Sequence, residues 1–301
     1  MRDVWIFVVV ALGSAWLIAL PPWLDGGNLA AHMPFAGMAM MFAPTLAVLV
    51  VWLVNGRPAG LARETGLLLG ERKGRTVGLL FAGWFAPPLL SAVAVALSAA
   101  LGLLTLDIGG FSLVRQQIPA GMPIDAGSLV VLQLVLSVFL APLLNAVPAF
   151  AEEWGWRGWL LPKLLPLGMW PAMLLSGVIW GVWHAPLTLL GYNYPELGAG
   201  AALMTVGFCV LSGALIGWLR LRSGSVWPAA LAHGSVNATA GWPVLLGSAQ
   251  EPPNMVVSGL VGLVGWAVLA AVIAVVFRLR PLPQASAASD NLQVGAIERS
   301  R

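Results

Sequence analysis

The sequence predicts an all-α fold: a polytopic membrane helical bundle of about eight transmembrane helices with both termini cytoplasmic. Three observations predict it. The 301 residues are 59% hydrophobic and only 9% charged, against about 25% charged in an ordinary soluble domain, so most of the surface cannot face water. Apolar runs long enough to cross a bilayer recur along the chain, separated by short polar stretches. The basic residues gather in alternate loops, as cytoplasmic loops do.

Taken in order, residues 4–20 form a first span behind Arg2, stopped by Pro21-Pro22 and expected to be retained rather than cleaved. Residues 34–54 form the second span, and 76–104 the third, with a kink expected at Pro87-Pro88. The fourth begins near Ser128, passes Pro142 and Pro148, and stops at Pro162 to Pro166. The others are 168–190, 200–219, 226–246 and 255–277. The chain divides into 1–127 (helices 1–3 and an outer loop), 128–280 (the chemically interesting core) and 281–301 (a disordered cytoplasmic tail), within one integral membrane domain.

With the N-terminus inside, fourteen of the fifteen Lys and Arg residues fall inside or in the inner half, leaving only Arg115 outside. The outer loops hold Asp25, Asp107, Asp125, Glu196 and Glu251. This placement accounts for the pI of about 9.6 as topology and argues against a nucleic-acid partner. The single cysteine, Cys209, excludes an internal disulfide and reads as core. Fifteen Trp, many near span ends, suit interfacial belts.

Against this background Ala151-Glu152-Glu153-Trp154-Gly155-Trp156-Arg157 is anomalous. A charge at mid-bilayer costs at least ~2.5–3.5 kcal/mol, so three within six residues require partners and a purpose. Glu153 and Arg157 are four apart and share a helix face. Glu152 is rotated about 100° from Glu153, which makes it the less neutralised carboxylate and the candidate general base. Glu152 and His184 each lie sixteen residues from Gly168, the expected turn between spans four and five. Antiparallel helices then bring them to similar depth, about 24 Å from that turn. His233 and Asn237 share a face of span seven, where an imidazole and an amide can together polarise a carbonyl oxygen.

A single intramembrane histidine is most often a packing residue, and Glu153 with Arg157 alone reads as a structural ion pair. His32, in an outer loop, has no assigned role. The remaining set is too coordinated for packing alone. It suits attack of an activated water on a peptide bond. Other protease chemistries lack their residues: no His-Glu-x-x-His for a zinc type, no Gly-x-Ser-Gly for a serine type, and no pair of membrane aspartates.

Glu152-Glu153-x-x-x-Arg157, Trp180-x-x-x-His184 and His233-x-x-x-Asn237 resemble the three motifs of the CPBP family. This is the Abi family of CAAX proteases and bacteriocin-processing enzymes, typified by the type 2 CAAX prenyl protease. The resemblance covers about 128–245, and the second motif opens with Trp180 where Phe is usual. It implies that Glu152 and His184 activate water, that His233 and Asn237 hold the oxyanion, and that Glu153, Arg157 and Trp180 shape the site. The family has been described both as metal-dependent and as metal-free. Glu152, His184 and His233 are the residues that would hold a divalent metal such as zinc.

The expected function is therefore an intramembrane endopeptidase acting, near the cytoplasmic side, on a membrane-embedded or lipid-anchored peptide or protein. The Ala/Gly/Trp-rich composition points to a bacterial plasma membrane, where a prenylated substrate is not expected. The competing readings are a non-catalytic scaffold or immunity protein keeping the same fold, and a proton-coupled transporter. The full motif set weighs against the first, and the lack of an internal repeat against the second. The topology is checked with Arg72→Cys in a Cys209→Ser background: a membrane-impermeant thiol reagent should label it only after the membrane is opened, and labelling in intact cells would reverse the orientation.

Overall fold

A computed structural model describes residues 1–282; apart from its first two residues, the tail expected to be disordered lies outside this range. The fold is 73% helical and, among the described residues, contains no strands beyond one isolated bridge between Leu106 and Gly247. The framework helices are α1 (Arg2–Ile18), α2 (Leu29–Val54, interrupted at Met41 and Phe42), α3 (Lys73–Ala100), α4 (Ala126–Phe139), α5 (Ala141–Glu153), α6 (Met169–Trp183), α7 (Gly200–Ser223), α8 (Trp227–Thr239) and α9 (Leu263–Leu279). The protein is a membrane protein: large apolar side chains such as Val9, Leu17, Phe81, Leu89, Val131, Leu203 and Val275 stand exposed along the helices, which water would not tolerate and lipid requires.

By length and composition, α2, α3 and α7 can each cross a membrane. The bent run through α4 and α5 to Leu167 gives a fourth crossing, while α6 and α9 are apolar but shorter. The eight full spans expected from hydropathy are thus partly trimmed, and turn chemistry explains where. The fourth span bends by 49° at Leu140, where Pro142 in the first turn of α5 removes a backbone donor. The seventh stops at Thr239, ahead of Gly241-Trp242-Pro243. The eighth starts at Leu263 rather than 255, because 254–262 is taken up by turns: Asn254 caps the N–H of Val256 at 2.9 Å, and Gly259 has φ +72°. The expected turn at Gly168 is present, with φ +101° as it caps α6. His32, expected in a loop, lies in the first turns of α2 and bonds to Asp25 at 3.0 Å.

Small residues let the central helices approach closely, as they do where lipid leaves packing to drive association. On α6, a Cβ at Gly177 would sit 2.6 Å from the Val210 Cα of α7. On α7, a Cβ at Gly217 would sit 2.7 Å from Met173 Sδ. On α8, a Cβ at Gly234 would lie 2.6 Å from the Ala146 nitrogen and 2.7 Å from the Pro142 oxygen of α5. On α3, Gly83 faces the Pro228 oxygen of α8 in the same way, and Ser91 and Thr239 bond across the pair at 2.8 Å. These contacts lock α5, α6, α7 and α8 around one centre. Gly234→Ala forces backbone against backbone and should lower stability by ~1–3 kcal/mol. It would be read as a clear drop in melting temperature in detergent, and an unchanged melt would show that the helices separate freely.

Candidate active site

The carboxylates sit where α5 passes into a π-helical segment, Trp154–Leu160, that carries Arg157. Such π segments concentrate at functional sites. This one is pressed against α2 and the loop after it: a Cβ at Gly155 would meet the Pro44 carbonyl carbon and oxygen at 2.9 Å, and one at Gly158 would meet the Thr65 oxygen at 2.9 Å. Thr45 Oγ1 donates to the Ala151 carbonyl at 2.7 Å, and Trp154 Nε1 donates to Thr65 Oγ1 at 2.9 Å. The Gly-Trp-Arg-Gly sequence is thus a tight-approach pattern, and it holds the two preceding glutamates in a rigid seat.

Glu152, Glu153 and Arg157 are only 2%, 0% and 1% exposed, so each needs internal partners. Glu153 Oε1 accepts from Arg157 Nη1 at 2.8 Å, the pairing expected from their spacing. The same oxygen bonds His233 Nδ1 at 2.8 Å. The sequence grouped His233 with Asn237, and with Glu152 and His184 for a metal, but not with Glu153, because this link joins two helices eighty residues apart. Glu153 is therefore the counter-charge of Arg157 and the orienting partner of His233. Arg157 also lies over the Trp180 ring, 4.2 Å from its centroid, a cation–π contact. Gly213 leaves the space that Arg157 occupies, since a Cβ there would lie 2.7 Å from Nη2.

Glu152 follows a different partner. Its Oε2 accepts a hydrogen bond from Trp180 Nε1 at 2.9 Å. A phenylalanine at this position has no N–H to give. His184 closes the end of α6, where its Nδ1 bonds the Trp180 carbonyl at 3.0 Å. A carbonyl only accepts, so Nδ1 carries the proton in that bond and Nε2 is left with its lone pair. The ring packs edge-to-face on Trp183, with centroids 4.7 Å apart. No hydrogen bond joins Glu152 to His184. They meet instead as walls of one cavity of about 560 Å³, which His233 and Asn237 also line. That volume is typical of a ligand site. Asn237 is the exposed member, set toward the cavity mouth.

Several lining residues were not singled out by sequence. Asn145 lies two turns before Glu152 on the same helix, and that spacing of seven was the available signal. Tyr192 and Tyr194 come from the loop after α6; Tyr194, only 2% exposed, donates to the Val261 carbonyl at 2.9 Å. Cys209 is core, as expected, but also faces the cavity 3.9 Å from His184 Nδ1. Trp156, Trp180 and Trp183 are buried around the site, so part of the tryptophan content belongs to the core rather than to interfacial belts.

Among the described residues, no group of three or more His, Cys, Asp or Glu side chains is disposed to hold a metal ion. Glu152, His184 and His233 are the residues that would hold a divalent metal, and the bonds to Nδ1 of each histidine leave its Nε2 as the ligand atom. His233 is drawn to Glu153, and His184 is tied to its own helix end.

Residues 128–239 match a protein-family model described as Rce1-like, type II CAAX prenyl endopeptidase. The match covers α4 to α8 and contains Glu152, Glu153, Arg157, Trp180, His184, His233 and Asn237. This agrees with the CAAX protease resemblance of the three motifs. No curated protein matches the chain.

The buried pair generates a stability ordering. Removing one member of a buried ion pair typically costs ~3–5 kcal/mol, and Glu153 also anchors a histidine. Glu153→Ala and Arg157→Ala should therefore lower the detergent melting temperature more than Glu152→Ala, which loses one neutral-donor hydrogen bond. The reverse ranking would mean that Glu153 is not the structural carboxylate.

Proposed function

We propose that the protein is an intramembrane endopeptidase of the glutamate type, cleaving a peptide bond in a membrane-embedded or lipid-anchored substrate at the plasma membrane of a bacterium. One observation carries this reading: Glu152, His184, His233 and Asn237, from three different helices, converge on a single cavity inside an otherwise apolar bundle. The Rce1-like match over the same helices gives independent support for peptidase chemistry.

In this reading Glu152 is the general base. It takes a proton from a water held between its carboxylate and the Nε2 lone pair of His184. The resulting hydroxide forms a C–O bond to the scissile carbonyl, whose oxygen becomes an oxyanion. His233 Nε2–H and the Asn237 side-chain amide donate to that oxygen. Donation by His233 through Nε2 requires a doubly protonated ring, since Nδ1 already donates to Glu153; the Glu153 carboxylate is the matching counter-charge. The proton on Glu152 then passes to the leaving nitrogen as the C–N bond breaks, yielding a carboxylic acid and an amine and leaving Glu152 ionised again. Trp180 fixes the Glu152 carboxylate in the orientation this proton transfer needs, and Arg157 balances the Glu153 charge.

Each role has a measurable consequence. Glu152→Gln keeps the shape and removes the base, so hydrolysis of a peptide library in detergent should fall by orders of magnitude while the melting temperature holds. His184→Ala should behave likewise. Asn237→Ala should cost about 10²–10³-fold, the usual effect of losing one oxyanion donor. Trp180→Phe keeps the aromatic packing but deletes a bond to a charged group worth ~1.5–3 kcal/mol, so it should lower kcat about tenfold to a hundredfold with KM little changed, and should add nothing in a Glu152→Gln background. Cleavage that survives Glu152→Gln removes Glu152 from the mechanism. Complementation of a deletion strain by Glu152→Gln, with no cleavage found, favours a scaffold. Loss of activity on chelation would show that a metal is required.

A further inference from the structure

The two ends of the bundle are chemically opposite, and hydrogen bonds fix which residues belong to which end. At one end Arg2 donates to Asn55 at 2.7 Å, Arg220 to the Glu64 carbonyl at 3.2 Å, Arg75 to the Arg222 carbonyl at 3.4 Å, and Trp218 to the Arg280 carbonyl at 3.0 Å. Arg57, Arg63, Arg72 and Lys73 lie in the same connection, between α2 and α3. At the other end the Asp107 N–H donates to Leu246, the Ala249 N–H to Ser112, Thr105 to Glu251, and Trp23 to the Pro186 carbonyl. That end carries Asp25, Asp107, Asp125, Glu196 and Glu251, and among the described residues Arg115 is its only Lys or Arg. Bonds from Ser112 and Gly110 hold the Asp107 carboxyl below the usual carboxylate range, and bonds from Ser128 do the same for Asp125. Both therefore stay anionic.

The cavity is not symmetric between these ends. Its floor is formed by Glu152, His233, Ser212 and Ile216, well inside the bundle. From there it runs past Asn237 to Tyr192, Asn193, Gly241, Val244 and Met255, all in the segments of the acidic end. Asn193, Asn237, Gly241 and Val244 are exposed. Nothing from the arginine-rich connection at 55–75 lines it. His184 itself caps the end of α6 remote from Lys163 and adjoins Pro186, the acceptor of the Trp23 bond. Basic residues mark the cytoplasmic side, so the mouth lies on the extracytoplasmic face. The lining other than Glu152, His184 and His233 carries no charged side chain: it is methionine, aliphatic and aromatic, with neutral amides and hydroxyls. It offers no counter-ion to a charged residue of a substrate.

We infer that the cavity admits its substrate from the extracytoplasmic side, as an uncharged segment of a membrane-anchored polypeptide already translocated across the bilayer. The substrate class rests on the peptidase reading; the sidedness rests on the cavity's geometry and the charge asymmetry of the two ends, and is tested without activity. The protein with Cys209→Ser and Asn237→Cys is expressed in a bacterial inner membrane, and a small charged methanethiosulfonate reagent is applied to spheroplasts and, separately, to inverted vesicles. Labelling in spheroplasts, at least tenfold faster than in inverted vesicles, is the expected result. Val244→Cys at the mouth repeats the measurement should Asn237→Cys fail to fold. Labelling confined to inverted vesicles, or absent from both preparations, overturns the inference and leaves the hydrolytic roles to be judged by Glu152→Gln.

Discussion

The structure depends on anchoring one fully buried carboxylate through one of its oxygens. Glu153 lies in an apolar bundle with no exposure at all, where an isolated charge would cost several kcal/mol even after relaxation. Its Oε1 takes hydrogen bonds from Arg157 and His233 together. That requirement ties the π-helical segment to α5 by a local contact and ties α8 to α5 by a distant one. It also converts a stability problem into a positioning device. His233, bonded to Glu153, thereby has its ring plane and one nitrogen fixed, while its other nitrogen is not engaged by Glu153.

Close packing follows from the same need. A charge network this short survives only if the helices around it cannot drift, and in lipid that rigidity comes from small residues rather than from the hydrophobic effect. Gly234 brings α8 onto α5, the pair that carries His233 and Glu153. Gly213 on α7 leaves room for the Arg157 guanidinium. Gly177 and Gly181 seat α6 on α7, which places Trp180 between them and the glutamates. The glycines and the charges form one arrangement.

Much of this is written locally in the chain, and the limits follow the physics. The turn at Gly168 and the Glu153–Arg157 pair depend on spacings within one helix or hairpin, and both are found; the apolar runs are found as helices, several of them shorter than expected. The bend at Leu140 and the short α8 were harder, because hydropathy averages over Pro142 and Gly241 while the backbone responds to each singly. The His233–Glu153 bond was out of reach: it joins helices distant in sequence, and the i,i+4 pattern drew attention to Asn237 instead. The motifs lie near basic residues in sequence, but the helices carry His184 and Asn237 to the opposite end of the bundle.

Trp180 connects the two carboxylates that the sequence sets side by side. Its indole N–H holds Glu152, its face receives Arg157, and its ring meets His233 edge-on with centroids 5.2 Å apart. Its backbone carbonyl fixes His184. Any shift of α6 therefore moves all four groups at once, and displacing Trp180 would disturb Glu152 and the Glu153–Arg157 pair together. A phenylalanine could keep the two ring contacts and the carbonyl bond but would leave Glu152 Oε2 without its donor. Where that smaller ring stands, the Glu152 carboxylate must find another donor. Here the tryptophan supplies it from inside the protein, so Glu152 is oriented before any substrate enters.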